Sequence, residues 1–157
     1  KTSLVKAILA CNKDGEAVSS DYKTTGILEV PQNLIISYIS QDTSHLKGSL
    51  RDFAREKRLD YTLLLALLRQ LDFERVLFDK DMELYSEGQK KKVLIASSLL
   101  TPAHLYIWDE PLNYIDVYTR MQIEKLLLAF RPTMLFVEHD VRFKETIATG
   151  VLHMERN

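Results

Sequence analysis

The feature that most constrains this chain is an apolar run that stops on two acids and a proline: Leu105, Tyr106, Ile107 and Trp108, then Asp109, Glu110 and Pro111. An apolar run without alternation suits a strand buried on both faces, the pattern of a parallel sheet. In open parallel sheets ligands bind beyond the carboxyl ends of the strands, where side chains leaving the sheet reach a metal or a phosphate. Successive strand residues point to opposite sides, so Asp109 and Glu110 cannot share one task. One can hold a hydrated Mg²⁺ while the other orients an attacking water. An acidic strand end without chemistry would look the same in isolation, so the decision falls to the rest of the chain.

Residues 133 to 140 repeat the design: an apolar strand from Met134 to Val137 that runs into Glu138, His139 and Asp140. Between the two strands, residues 116 to 130 carry Val117, Met121, Ile123, Leu127 and Leu128 at helical spacing. A strand, helix, strand unit with parallel strands puts both polar clusters on one edge of the sheet. A lone histidine is most simply a surface residue. His139, level with Asp109 and Glu110 at the end of a buried strand, is instead a candidate for catalysis.

Residues 1 to 10 read as a helix with Leu4, Val5, Ile8 and Leu9 apolar, opened by Lys1 and Thr2. A Walker A loop ends in Gly-Lys-Thr or Gly-Lys-Ser at the start of such a helix, where free N–H groups and the helix dipole favour phosphate. The glycines lie outside this sequence, so the expectation is a fragment cut inside the phosphate loop. Such a polypeptide should bind Mg-ATP weakly and turn over negligibly by itself. Residues 11 to 26 are polar and turn-rich, a loop or hairpin. Residues 34 to 40 form the next strand candidate and lead to Gln41. Ser49 to Asp52 resemble a helix start, and the leucine-rich run from 63 to 68 is apolar around much of a helix. This predicts a helical subdomain over about 49 to 100, with the leucine run as a buried helix or an interdomain surface.

The run Tyr85, Ser86, Glu87, Gly88 and Gln89 precedes a helix predicted from about 87 to 100. Ser86 is a good N-cap, and the helix would direct unpaired N–H groups outward to an anion. Lys90, Lys91 and Lys92 lie near that positive end, where a cation is disfavoured by roughly 0.3–1 kcal/mol. The plainer reading of these three lysines is a solvated helix face, preferred over phosphate contact by all three.

These motifs occur in the order Lys1 and Thr2, Gln41, Ser86 to Gln89, Trp108 to Pro111, Leu112 to Asp116, and Glu138 to Asp140. In that order the chain resembles an ATP-binding cassette ATPase domain, a P-loop NTPase with a mainly parallel α/β sheet and an inserted helical subdomain. The wording of residues 85 to 92 and 107 to 116 is similar to the second, C-terminal nucleotide-binding domain of a soluble tandem F-subfamily (ABC-F) protein of the Lsa and Vga ribosome-protection type. The resemblance implies ATP and Mg²⁺ as ligands. Lys1 would contact the β and γ phosphates; Thr2 would ligate Mg²⁺. Gln41 would sense metal and γ phosphate, Asp109 would hold hydrated Mg²⁺, Glu110 would be the general base and His139 would bond the γ phosphate. Asp116 would couple the two halves, while Ser86, Gly88 and Gln89 would close over ATP held by a second cassette in the same full-length chain. The resemblance also implies a cytoplasmic protein acting on the ribosome, with antibiotic resistance by ribosome protection. Two alternatives stay open: the ATP-binding subunit of a membrane transporter, and a nucleotide-binding interaction module without turnover. One departure stands out, since the family has a second glycine where this chain has Glu87, and a carboxylate near a triphosphate is unfavourable unless it points away.

Composition agrees with these expectations. At 157 residues the chain has the size of one domain and can bury a substantial core. A formal charge of −1, from 21 basic and 22 acidic residues, gives no bulk electrostatic argument for nucleic-acid binding, so ribosomal contact would need local patches or other segments. The one cysteine, Cys11, has no internal disulfide partner, which fits a reducing compartment, and is most simply a small core residue. No apolar run approaches the roughly twenty residues of a membrane span.

Overall fold

The computed structural model describes residues 2–14, 28–31 and 33–153. Its centre is a three-stranded parallel sheet of β1 (Ile36–Ile39), β2 (Leu105–Asp109) and β3 (Met134–Val137), in the order β1-β2-β3. The middle strand is the apolar run that ends in acids, and Ile107 and Trp108 are fully buried. Ile39 aligns with Trp108 on one side of β2, and Asp109 aligns with Val137 on the other. All three strands therefore end at one level, which places the residues after each of them on a common edge. The strand expected over 34 to 40 is shorter than its apolar pattern, because only four residues pair with β2.

Helix α1 (Thr2–Asp14) continues four residues beyond the expected end, so Asn12, Lys13 and Asp14 belong to the helix and not to a loop. Val5 and Cys11 are on its buried side. The remainder of the anticipated loop, residues 15 to 26, lies outside the described residues.

Between β1 and β2 the chain forms α2 (Leu50–Glu56), α3 (Tyr61–Gln70), two single 3₁₀ turns at Arg75–Leu77 and Met82–Leu84, and α4 (Glu87–Leu100). Each helix starts where a side chain can take a free amide. Ser49 accepts from Asp52 N–H at the start of α2, and Asp60 accepts from Leu63 N–H at the start of α3. Leu64 and Leu68 of α3 are wholly buried against Leu50 and Phe53, but Leu63 is 55% exposed. The leucine run is thus one-sided, because α3 packs on α2 and α4 along one face only. Phe73 stacks on Phe78 and meets Tyr85 edge-on, with ring centroids 5.8 and 5.4 Å apart. Gly48 has φ +77°, which only glycine adopts at low cost; its N–H donates to Asp81, and its carbonyl accepts from Met82.

Helix α4 joins this helical part to the sheet. Ser98 is the buried knot: its hydroxyl shares a 2.7 Å bond with the Ser37 hydroxyl and accepts from the Trp108 indole N–H at 2.9 Å. Helix α5 (Val117–Phe130) connects β2 to β3, and α6 (Val141–Ile147) follows β3. Asp140 caps α6 by accepting from Phe143 N–H, and also pairs with Arg120 of α5. No helix among the described residues is long and apolar enough to cross a membrane.

Candidate active site

Asp109 is the last residue of β2 and is 1% exposed. Its Oδ1 accepts from Gln41 Nε2 at 3.3 Å, two residues past the end of β1. Its Oδ2 is buried and has no hydrogen-bond partner. A buried carboxylate oxygen left unmatched is costly, and a cation, or water held on one, would complete it. Burial, and then the Asp109 charge, push the nearby Tyr38 phenol up from its ordinary pKa.

Glu110 is the first residue past the strand. Its amide donates to Val137 O at 2.9 Å, one last ladder bond, while its backbone turns to φ 50°. Its carboxylate accepts from Asn113 Nδ2 at 2.8 Å and stands 3.4 Å from His139 Nε2. Tyr114 also has positive φ, at 66°. Arg58, Asp72 and Arg131, which share this geometry, sit at the C-terminal ends of helices, where left-handed residues are common. Glu110 and Tyr114 end no helix, so they hold local backbone strain at the strand edge. The segment is braced by Glu138, whose Oε2 accepts from Leu112 N–H and whose Oε1 accepts from His139 N–H.

The structure therefore brings Gln41, Asp109, Glu110 and His139 together. His139 is 69% exposed in its side chain, in contrast to buried Asp109. Lys1 lies outside the described residues, as does the side chain of Thr2. The anticipated signature residues begin α4: Ser86 Oγ accepts from Gln89 N–H and Gln89 Oε1 accepts from Ser86 N–H, a closed capping box. The box takes up the Gln89 and Ser86 amides within the chain. Gly88 has a steric reason to be glycine, because a Cβ there would stand 2.4 Å from the Tyr114 carbonyl oxygen. Asp116 caps α5 through Thr119 N–H at 2.8 Å and pairs with Lys92 at 3.1 Å. Burial would raise its pKa, but the Thr119 amide and hydroxyl and the Lys92 ammonium overcome this and hold it down at about 2.

The solvated lysine face is not what forms. Lys91 is 2% exposed and Lys92 8%; Lys92 Nζ also donates to Asp72 O, and Lys90 lies 3.7 Å from Glu87. Their long stems fill space between α4 and its neighbours while each ammonium finds an oxygen. Lys91 donates to the Ser40 carbonyl at 3.0 Å. Burial pulls its pKa down, against the opposite pull of Asp109, Glu87, Glu110 and Glu138. Lys91 and Glu138 are the residues that sequence reasoning missed. The available signal was a lysine two residues before the run Val93 to Ala96, and an acid directly before His139.

Over residues 1–113 the chain matches the protein family described as ABC transporter. The chain belongs to that family. The family match ends before Asp116 and His139, but relatives of this ABC ATPase domain extend over nearly all of it. It is 27% identical over 164 residues to the ATP-binding protein Uup of Buchnera aphidicola subsp. Schizaphis graminum (strain Sg), covering 99% of this chain and 26% of that protein. It is 23% identical over 161 residues to ABC transporter F family member 2 of Arabidopsis thaliana, covering 98% and 22%. Among solved structures it is similar to that of the archaeal ribosome recycling factor aABCE1 in complex with the ribosomal stalk protein aP1, with a TM-score of 0.66 and 25% identity over 94% of this chain and 28% of that one. The ABC domain thus spans about a quarter of the length of the curated relatives it matches.

The residues present fit a divalent cation. Among the described residues no group of three or more His, Cys, Asp or Glu side chains is arranged to hold a metal. Mg²⁺ does not need one, since it is bound by one or two protein groups together with waters and substrate phosphates. The unmatched Oδ2 of Asp109, with Gln41 beside it, supplies such a group.

Proposed function

We propose that this ABC domain binds and hydrolyses ATP as one half of a tandem F-subfamily protein that acts on the ribosome. The observation that carries the ATPase reading is the meeting of Gln41, Asp109, Glu110 and His139 at one strand edge, with Asp109 Oδ2 buried and unmatched. Asp109 and Gln41 would hold Mg²⁺ with its waters, together with Thr2. Bound there, the ion would neutralise charge on the transferred phosphate. Glu110 would accept a proton from the attacking water, and the bond it takes from Asn113 would limit the turning of its carboxylate. His139, 3.4 Å from Glu110, would meet the γ phosphate, while Lys1 would meet the β and γ phosphates. Ser86, Gly88 and Gln89 would close on nucleotide carried by a second cassette of the same full-length chain, with Asp116 linking the halves.

The ribosomal reading is supported by similarity to an F family member and to an archaeal ribosome recycling factor. Within it, ribosome protection of the Lsa and Vga type is the finer proposal, resting on the wording of residues 85 to 92 and 107 to 116. The protein would then work in the cytoplasm. The test uses the full-length protein. Asp109→Asn should weaken Mg-dependent ATP binding, and Glu110→Gln should trap an ATP-bound form that sediments with ribosomes in an ATP-dependent manner. Unchanged Mg-ATP affinity in Asp109→Asn would remove the metal role, and recovery of the trapped form with membrane subunits would replace the ribosome by a transporter.

A further inference from the structure

Glu87 occupies the place where the family pattern has glycine, and the structure shows where its carboxylate goes. Residues 87 and 91 are one turn apart on one face of α4. Facing them is the segment from Ser40 to Thr43, which contains Gln41. Thr43 Oγ1 donates to Glu87 Oε2 at 2.6 Å, and Lys91 Nζ donates to the Ser40 carbonyl at 3.0 Å. The two bonds bracket Gln41 on both sides. Thr43 is 3% exposed and Lys91 2%, so both anchors are buried. The other Glu87 oxygen lies 3.7 Å from Lys90. Both carboxylate oxygens are thereby engaged within the chain, and a short hydroxyl-to-carboxylate bond is among the stronger hydrogen bonds in proteins.

We infer that Glu87 is a positioning residue that ties the Gln41 loop to the first turns of α4, so that the seat of Gln41 beside Asp109 and the capped start at Ser86 move as one body. The tie rests on the ATPase reading for its consequence: the metal-side glutamine of one site and the signature of the opposite site would be set together. A glycine at 87 would have no group to give Thr43.

The experiment compares Thr43→Val, Glu87→Gly, Glu87→Gln and the double variant Thr43→Val/Glu87→Gly in the full-length protein. Its readouts are steady-state ATP hydrolysis and deuterium uptake over residues 40 to 46 without nucleotide. Thr43→Val and Glu87→Gly should each lower kcat about tenfold with KM for ATP changed less than about twofold, and the double variant should be no worse than the poorer single, as for groups that act as a unit. Glu87→Gln, whose amide oxygen still accepts from Thr43, should stay within about twofold of the native kcat. Uptake over residues 40 to 46 should rise in Thr43→Val and Glu87→Gly but not in Glu87→Gln. Uptake unchanged in all variants overturns the tie. So does a lowered KM with native kcat in Glu87→Gly, which would show the carboxylate facing nucleotide, or losses that multiply in the double variant. A native protein without turnover would overturn the ATPase reading, while the uptake arm would still decide the tie.

Discussion

The strand edge and the helical part that precedes it are built on opposite terms. Around α2 and α3 the helix starts are capped, Leu64 and Leu68 are sealed, and the Tyr85 hydroxyl is spent on the Leu77 carbonyl at 2.6 Å. At the edge, Asp109 keeps an unmatched oxygen, Glu110 and Tyr114 hold positive φ, and His139 stands in solvent. The contrast teaches where each region's substitutions should register. A finished region loses stability when cut; an unfinished one loses chemistry first, because its groups are arranged for a ligand and not for each other.

The largest effect expected is kinetic. Glu110→Gln in the full-length protein keeps shape and the Asn113 contact but removes the base, so kcat should fall by about 10²–10⁴. Denaturant midpoints should hardly move; a clear loss of stability without loss of turnover would erase the contrast. Next comes Leu68→Ala, a fully buried side chain in the finished region, which should cost about 2–5 kcal/mol in urea unfolding. A cost under about 1 kcal/mol would show that α3 is loosely packed.

Gly88→Ala tests the boundary between the regions. Alanine suits a helix better by about 0.8–1 kcal/mol, but its Cβ would overlap the Tyr114 carbonyl, a backbone atom that cannot swing away. The overlap should win, with a net loss of about 1–3 kcal/mol. A stabilised variant would mean that the strained loop yields freely. The smallest effect is at Asp116, whose folded pKa of about 2 lies below its ordinary 3.8. Its contribution is complete above about pH 4 and is lost as pH falls through about 2. With the side chain half exposed, the loss should be about 1 kcal/mol or less, and Asp116→Ala should flatten that part of the acid limb. An unchanged acid limb would show that the pairing with Lys92 does not stabilise the fold.

Features whose causes lie within a few residues were legible in the chain before any packing was known. The apolar run from Leu105 to Trp108 sufficed for a buried strand, and its abrupt acids for a site at the strand end. Ser86 was readable as a helix start, since a cap reaches only three residues ahead. The parallel pairing followed from strand, helix, strand order, which left Asp109, Glu110 and His139 on one edge. The long-range matches came from packing alone. Nothing near Lys91 in sequence announces the Ser40 carbonyl, nor does Glu87 announce Thr43, 44 residues away. The fate of three consecutive lysines depended on which elements α4 packs against, and so did the need for glycine at 88. Local patterns set which groups seek partners, but the register of β1 on β2 and the seating of α4 across them choose which partners those groups meet.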